Sequence, residues 1–171
     1  MDINKPLIDI DLPQLCIDFL YHEFEEQDGG IMLKTSNDIG KYINSMLTVS
    51  ATSPAVPMTE YHIIIYLPVN AWNHHIFSGN YITIIPWKRK MLEQFIMAEF
   101  KLRIRAYFLT GYEKGYSQDN IIKGFLKSYS IKNNTVNYDS IKKMDYRNRE
   151  RITEEVNNDI QSQLTLNFWT K

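Results

Sequence analysis

Apolar and polar positions along the chain change their spacing partway, and the change divides it. In the first half, short apolar runs alternate with turn residues. Leu7, Ile8 and Ile10 predict a strand ending near Pro13. Leu15, Ile17, Phe19 and Leu20 stand at helical spacing and predict a helix over residues 14–24. Glu23, Glu25, Glu26 and Asp28 close that helix, and Gly29 and Gly30 break it. Residues 31–34 predict a short strand. Ser36 or Asn37 is placed to cap a helix running to Leu47, with Ile39, Tyr42, Ile43, Met46 and Leu47 on one face. Residues 50–57, with two prolines, predict a loop. Residues 61–67 are apolar on both faces, as a central strand requires, and residues 81–85 predict a further strand.

From Pro86 onward the spacing is helical. Proline suits a first helical position. Leu92, Ile96, Phe100, Ile104 and Phe108 form an i, i+4 row, with Met91, Phe95, Ala98 and Leu102 beside it. They predict one long helix with a wide buried stripe, ending at Gly111, with Lys101, Arg103 and Arg105 on its polar side. Ser117 is a fitting cap for a helix over residues 118–129, whose apolar face is Ile121, Ile122, Phe125 and Leu126. After a polar turn, Asn137 or Asp139 is placed to cap a last helix through about Arg151, with Tyr138, Ile141 and Met144 inward. The expected fold class is α+β: a small N-terminal α/β unit with a short sheet (1–85), a C-terminal three-helix unit (86–156), then a polar spacer and apolar peptide (157–171).

Charge sharpens this division. Residues 86–151 hold 15 of the 19 Lys and Arg against seven acids, a net charge of +8. Residues 1–85 carry three Lys and ten acids, a net of −7. The overall −1 hides this asymmetry, which points to a polyanionic partner. Lys88, Arg89 and Lys90 lie in the first turn of the long helix, where free backbone N–H groups also favour an anion. Lys142, Lys143, Arg147, Asn148, Arg149 and Arg151 fall outside the last helix's apolar face. Basic and amide side chains of this kind bind phosphates and read base edges. DNA or RNA is therefore the expected partner, with double-stranded DNA the first choice.

Little else suggests chemistry. No phosphate-binding glycine loop, nucleophile elbow or zinc-protease motif occurs in the sequence. His22, His62, His74 and His75 lack ligand spacing, and no metal or cofactor is expected. The Glu23–Asp28 acids read as solvated surface, and Tyr146 as a surface or packing residue. A single cysteine, Cys16, permits no internal disulfide, and no apolar run reaches membrane-spanning length. Residues 1–20 show no secretory leader. A cytoplasmic, non-enzymatic protein is expected, with a homo-oligomer open.

The three helices in order, the last one basic, resemble a helix-turn-helix DNA-binding domain over residues 86–151. The linker from Ser130 to about Asn137 is longer than that family's tight turn. The segment Gln163-Leu164-Thr165-Leu166-Asn167-Phe168 resembles the short peptide with which bacterial proteins dock on the DNA polymerase sliding clamp. That resemblance implies Gln163, Leu164, Leu166 and Phe168 as anchors. More broadly, Leu12-Pro13, the run Phe19 to Phe24, Tyr138 to Lys142 and Tyr146 to Arg149 are similar to small proteins of bacterial prophages and mobile elements. The resemblances imply a DNA-binding accessory or regulatory protein that links DNA to the replication machinery. The alternatives are a protein–protein adaptor using its tail, or a phage structural component.

Overall fold

The computed structural model describes residues 7–52, 62–69 and 80–169, with backbone alone for most of the chain beyond Glu150. The fold is α+β. The chain packs as two units, one of Met1–Phe100 with Tyr129–Ile131 and one of Lys101–Ser128 with Lys132–Lys171. The division falls inside a helix, where the hydrophobic pattern places it at residues 85 and 86.

In the first unit, strand β1 (Leu7–Asp11) is followed by helix α1 (Gln14–Glu23), and β2 (Glu25–Gln27) forms a hairpin with β3 (Gly30–Met32). Helix α2 (Asp38–Met46) begins at Asn37, whose Oδ1 accepts from the Gly40 N–H at 2.7 Å. Strands β4 (Thr48–Ser50), β5 (His62–Tyr66) and β6 (Tyr81–Thr83) follow. The sheet order is β1-β5-β3-β2, with β5 antiparallel to β1 and parallel to β3. β5 is thus central, as its apolar composition predicts. β4 and β6 pair with each other in a separate two-stranded ladder.

Residues 25–28 do not finish the helix. They form β2 and a turn in which Asp28 and Gly29 both have positive φ, 48° and 76°. Two such residues make the tight turn whose twist matches a hairpin. Gly30 then lies against Ile64, where a Cβ would meet the Ile64 carbonyl and come within 2.9 Å of its Cβ. An outer strand of acids, with Glu25 accepting from Lys34 Nζ at 2.6 Å, discourages pairing with further chains.

The unit's core joins Ile10, Phe19, Leu20, Ile31, Ile43, Ile63 and Ile65 to Leu92, Ile96 and Phe100. These last three come from helix α3 (Pro86–Glu113), which crosses the division between units. Phe19 packs against the rings of Phe100 at 5.5 Å and Tyr129 at 5.9 Å, and Tyr42 stacks on Phe95 at 4.0 Å.

The second unit contains the end of α3, helix α4 (Gln118–Ser128) and helix α5 (Thr135–Trp169). Its core is Ile104, Phe108, Ile121, Ile122, Phe125, Leu126 and Ile141. Gly111 does not stop α3. It is buried where a Cβ would lie 2.6 Å from Ile121 Cγ1, and the helix ends two residues later at Glu113, followed by a left-handed Gly115. The Tyr116 N–H then reaches the Gly111 carbonyl at 3.0 Å and the Gly115 N–H reaches Tyr112, the Schellman pattern. Ser117 caps α4 weakly, accepting from Asn120 N–H at 3.4 Å. The cap of α5 is Asn134, which accepts from the Asn137 N–H at 2.8 Å. Asn137 is buried and donates its own amide to the Lys132 carbonyl at 2.9 Å. The predicted stripe on α3 is also narrower than its sequence suggests. Its i, i+4 row is buried, but Met91, Ala98 and Leu102 are exposed.

Candidate nucleic-acid interface

The predicted cations fall into separate groups. Lys88 and Arg89, both half-buried, and the exposed Lys90 lie on the first turns of α3, in the first unit. The rest lie on α5, which runs 35 residues and is no short exposed helix. Lys142, Lys143, Arg147 and Arg149 are exposed and Asn148 is half-buried. The backbone at Arg151 is helical, and its side chain lies outside the described residues.

Helical geometry sorts these cations into two flanks. At about 100° per residue, with Ile141 inward, Lys142 and Arg149 lie near one another on one side. Lys143 and Arg147 lie on the other. Asp139, Tyr146 and Glu150 occupy the ridge between them. Glu150 accepts a hydrogen bond from Tyr146, which holds that phenol above its ordinary pKa. The basic character of α5 is therefore a pair of flanks split by two acids.

Arg149 is committed elsewhere. Asp145, one turn before it, is buried, its side chain only 3% exposed. Its Oδ2 accepts from Tyr112 Oη at 2.7 Å, Gln118 Nε2 at 2.6 Å and Arg149 Nε at 3.2 Å. The Arg149 guanidinium also lies 5.7 Å from the Tyr112 ring centre. Burial first, then the hydrogen bond and charge of Asp145, push the Tyr112 hydroxyl up to about 12. This carboxylate joins α3, α4 and α5 within the second unit. The charge reading overlooked it, although the i, i+4 spacing of Asp145 and Arg149 is visible in sequence. Tyr138, expected inward, is half-exposed and donates to Asp119 Oδ1 at 3.0 Å, while Lys123 reaches Asp119 Oδ2 at 2.8 Å.

Arg149 is thus tied to Asp145, and Lys142, Lys143 and Arg147 are the α5 cations that enter no ion pair among the described residues. α4 and α5 are joined by residues 129–134, including a left-handed Ser130 and the buried Ile131.

Among the described residues no group of three or more His, Cys, Asp or Glu is placed to hold a metal, and no helix is long and apolar enough to cross a membrane. His74, His75 and Trp72 lie outside the described residues. The ring of His22 packs against Tyr129 at 4.8 Å. Gln163, Leu164, Leu166 and Phe168 belong to α5 by backbone, and their side chains lie outside the described residues. An extended docking peptide there requires the end of the helix to unwind. Comparison with known protein families, curated proteins and solved structures finds no match.

Proposed function

We propose that this protein is a cytoplasmic, non-enzymatic DNA-binding accessory protein. It engages the phosphate backbone of duplex DNA through α5, with α4 and α5 acting as a helix pair of the helix-turn-helix kind. The observation that carries this reading is the concentration of exposed cations at Lys142, Lys143 and Arg147, which enter no ion pair among the described residues, in one helix of a chain whose first half is acidic. Cations that are neither buried nor ion-paired cost little to leave on a surface, and they release counterions when they meet phosphate. Lys88, Arg89 and Lys90 add a second group of contacts.

The test is a salt titration of the full chain on a labelled random duplex. Neutralising about five phosphates gives a slope of log affinity against log salt of about −4.5. Lys143→Gln with Arg147→Gln shrinks that slope by about 2 if both contact phosphate. A slope near zero, or an unchanged slope in the double variant, removes the reading.

A further inference from the structure

Between the two cationic flanks of α5 stands an aromatic ring. Tyr146 is 57% exposed, and it and the residues around it on α5 all belong to the second unit. Helical geometry puts Lys142 about 40° to one side of it and Lys143 about 60° to the other, each within about 6 Å along the axis. Arg147 stands beyond Lys143 on the same flank. These three cations are exposed and enter no ion pair among the described residues. The phenol donates to Glu150, one turn further on, so the ring is tethered at its far end. A single exposed tyrosine needs no explanation. A tethered ring with cations on both sides offers a flat surface where a polyanion would pass.

The acids on the same ridge decide what the ring meets. Asp139 and Glu150 lie about 20° and 40° from Tyr146 around the helix. Carboxylates repel phosphate, so a nucleic-acid backbone is steered to the lysine flanks and the ridge is left to an uncharged group. A nucleobase is uncharged, flat and joined to the backbone beside its phosphates. In an intact duplex the bases stack on one another, and freeing one costs its stacking and pairing; an unpaired base carries little of that cost. Every base has a π-face, so stacking on an aromatic ring tolerates any sequence. We infer that Tyr146 stacks on an unpaired nucleobase while Lys142, Lys143 and Arg147 hold the phosphates beside it. The protein therefore prefers a duplex interrupted by unpaired bases to a continuous one. This rests on the reading of α5 as a phosphate-binding helix and adds the form of nucleic acid that the helix takes.

The probes are two labelled DNA duplexes of the same random sequence, one continuous and one with a short bulge that carries 2-aminopurine. Titrated with the full chain at one salt concentration, the bulged duplex is expected to bind about tenfold more tightly, and the 2-aminopurine fluorescence to fall as the base stacks. Tyr146→Ala abolishes the preference and the quenching and leaves the salt slope on the continuous duplex unchanged. Tyr146→Phe keeps both, because the ring remains, which separates stacking from hydrogen bonding by the hydroxyl. The same bulge built in an RNA duplex distinguishes the two sources of an unpaired base, and a preference for the bulge in either upholds the inference. Equal affinity for continuous and bulged duplexes, or a preference that survives Tyr146→Ala, overturns it and leaves the phosphate reading standing. Absence of salt-dependent binding to every duplex removes the two together. Tighter binding of a polyglutamate peptide than of any duplex, lost in Tyr146→Ala, overturns it in favour of an acidic protein.

Discussion

Replacing Asp145 by alanine removes the acceptor on which three donors converge. The carboxylate is buried, so its Tyr112 and Gln118 hydrogen bonds are charge-assisted and shielded from water. Each contributes about 1–1.5 kcal/mol, toward the low end because both donors are only half-buried. Arg149 is half-exposed, and its ion pair adds about 0.5 kcal/mol. The total loss is about 3 kcal/mol. For a chain of this size each kcal/mol lowers Tm by about 2–4 °C, so the variant should melt about 6–12 °C lower. Asp145→Asn keeps the shape and a neutral acceptor, and should lose less than half as much. Thermal melts followed by circular dichroism at 222 nm, with calorimetry to confirm a single transition, measure both. Melting of Asp145→Ala within 1 °C of the parent chain would falsify the assignment of this carboxylate as the joint of the second unit. If Arg149→Ala cost as much as Asp145→Ala, the attribution would also fail, because the guanidinium was assigned the smallest share.

Two further outcomes follow from the geometry. The Tyr112 pKa is raised from 10.0 to about 12 in the folded chain, so its contribution is fully present below pH 10 and lost as pH rises toward 12. Tyr112→Phe should therefore narrow the stability gap to the parent chain as pH climbs from 9 to 12 in denaturant titrations, and a constant gap contradicts this. Gly30→Ala should cost about 2 kcal/mol or more, because the new Cβ meets the Ile64 backbone in the centre of the sheet. Gly29→Ala, with nothing within 4 Å but φ +76°, should cost about 1 kcal/mol from backbone strain alone. Urea denaturation of the two variants that gives the opposite order refutes this account of the hairpin.

The hydrophobic pattern made most of the elements legible, and its failures have identifiable causes. The central strand and the long helix follow from their dense apolar runs, and Asn37 and Ser117 cap where their side chains suggest. Strand β2 was missed because Glu25, Glu26 and Gln27 bear no apolar alternation. The Asp28-Gly29 pair was the available hairpin signal. Gly111 reads as a stop because glycine ends helices, yet here its missing side chain admits Ile121. Met91 and Leu102 read as core because apolar character does not state which side of a helix is covered. At the candidate interface, the sequence identifies the cations but not their allegiance. Arg149 and Lys142 are chemically alike, and only tertiary contact reveals that one is tied to Asp145.

The first unit draws its core from distant parts of the chain. Phe19 needs Phe100 and Tyr129, more than 80 and 100 residues further on. During synthesis the strands and α1 therefore emerge long before the residues that close around them. Until Tyr129–Ile131 have been made, Phe19 and its neighbours lack part of their packing. The nascent first unit therefore keeps part of its core exposed until synthesis has passed residue 131. A chain halted near residue 85 should need a chaperone to stay out of aggregates.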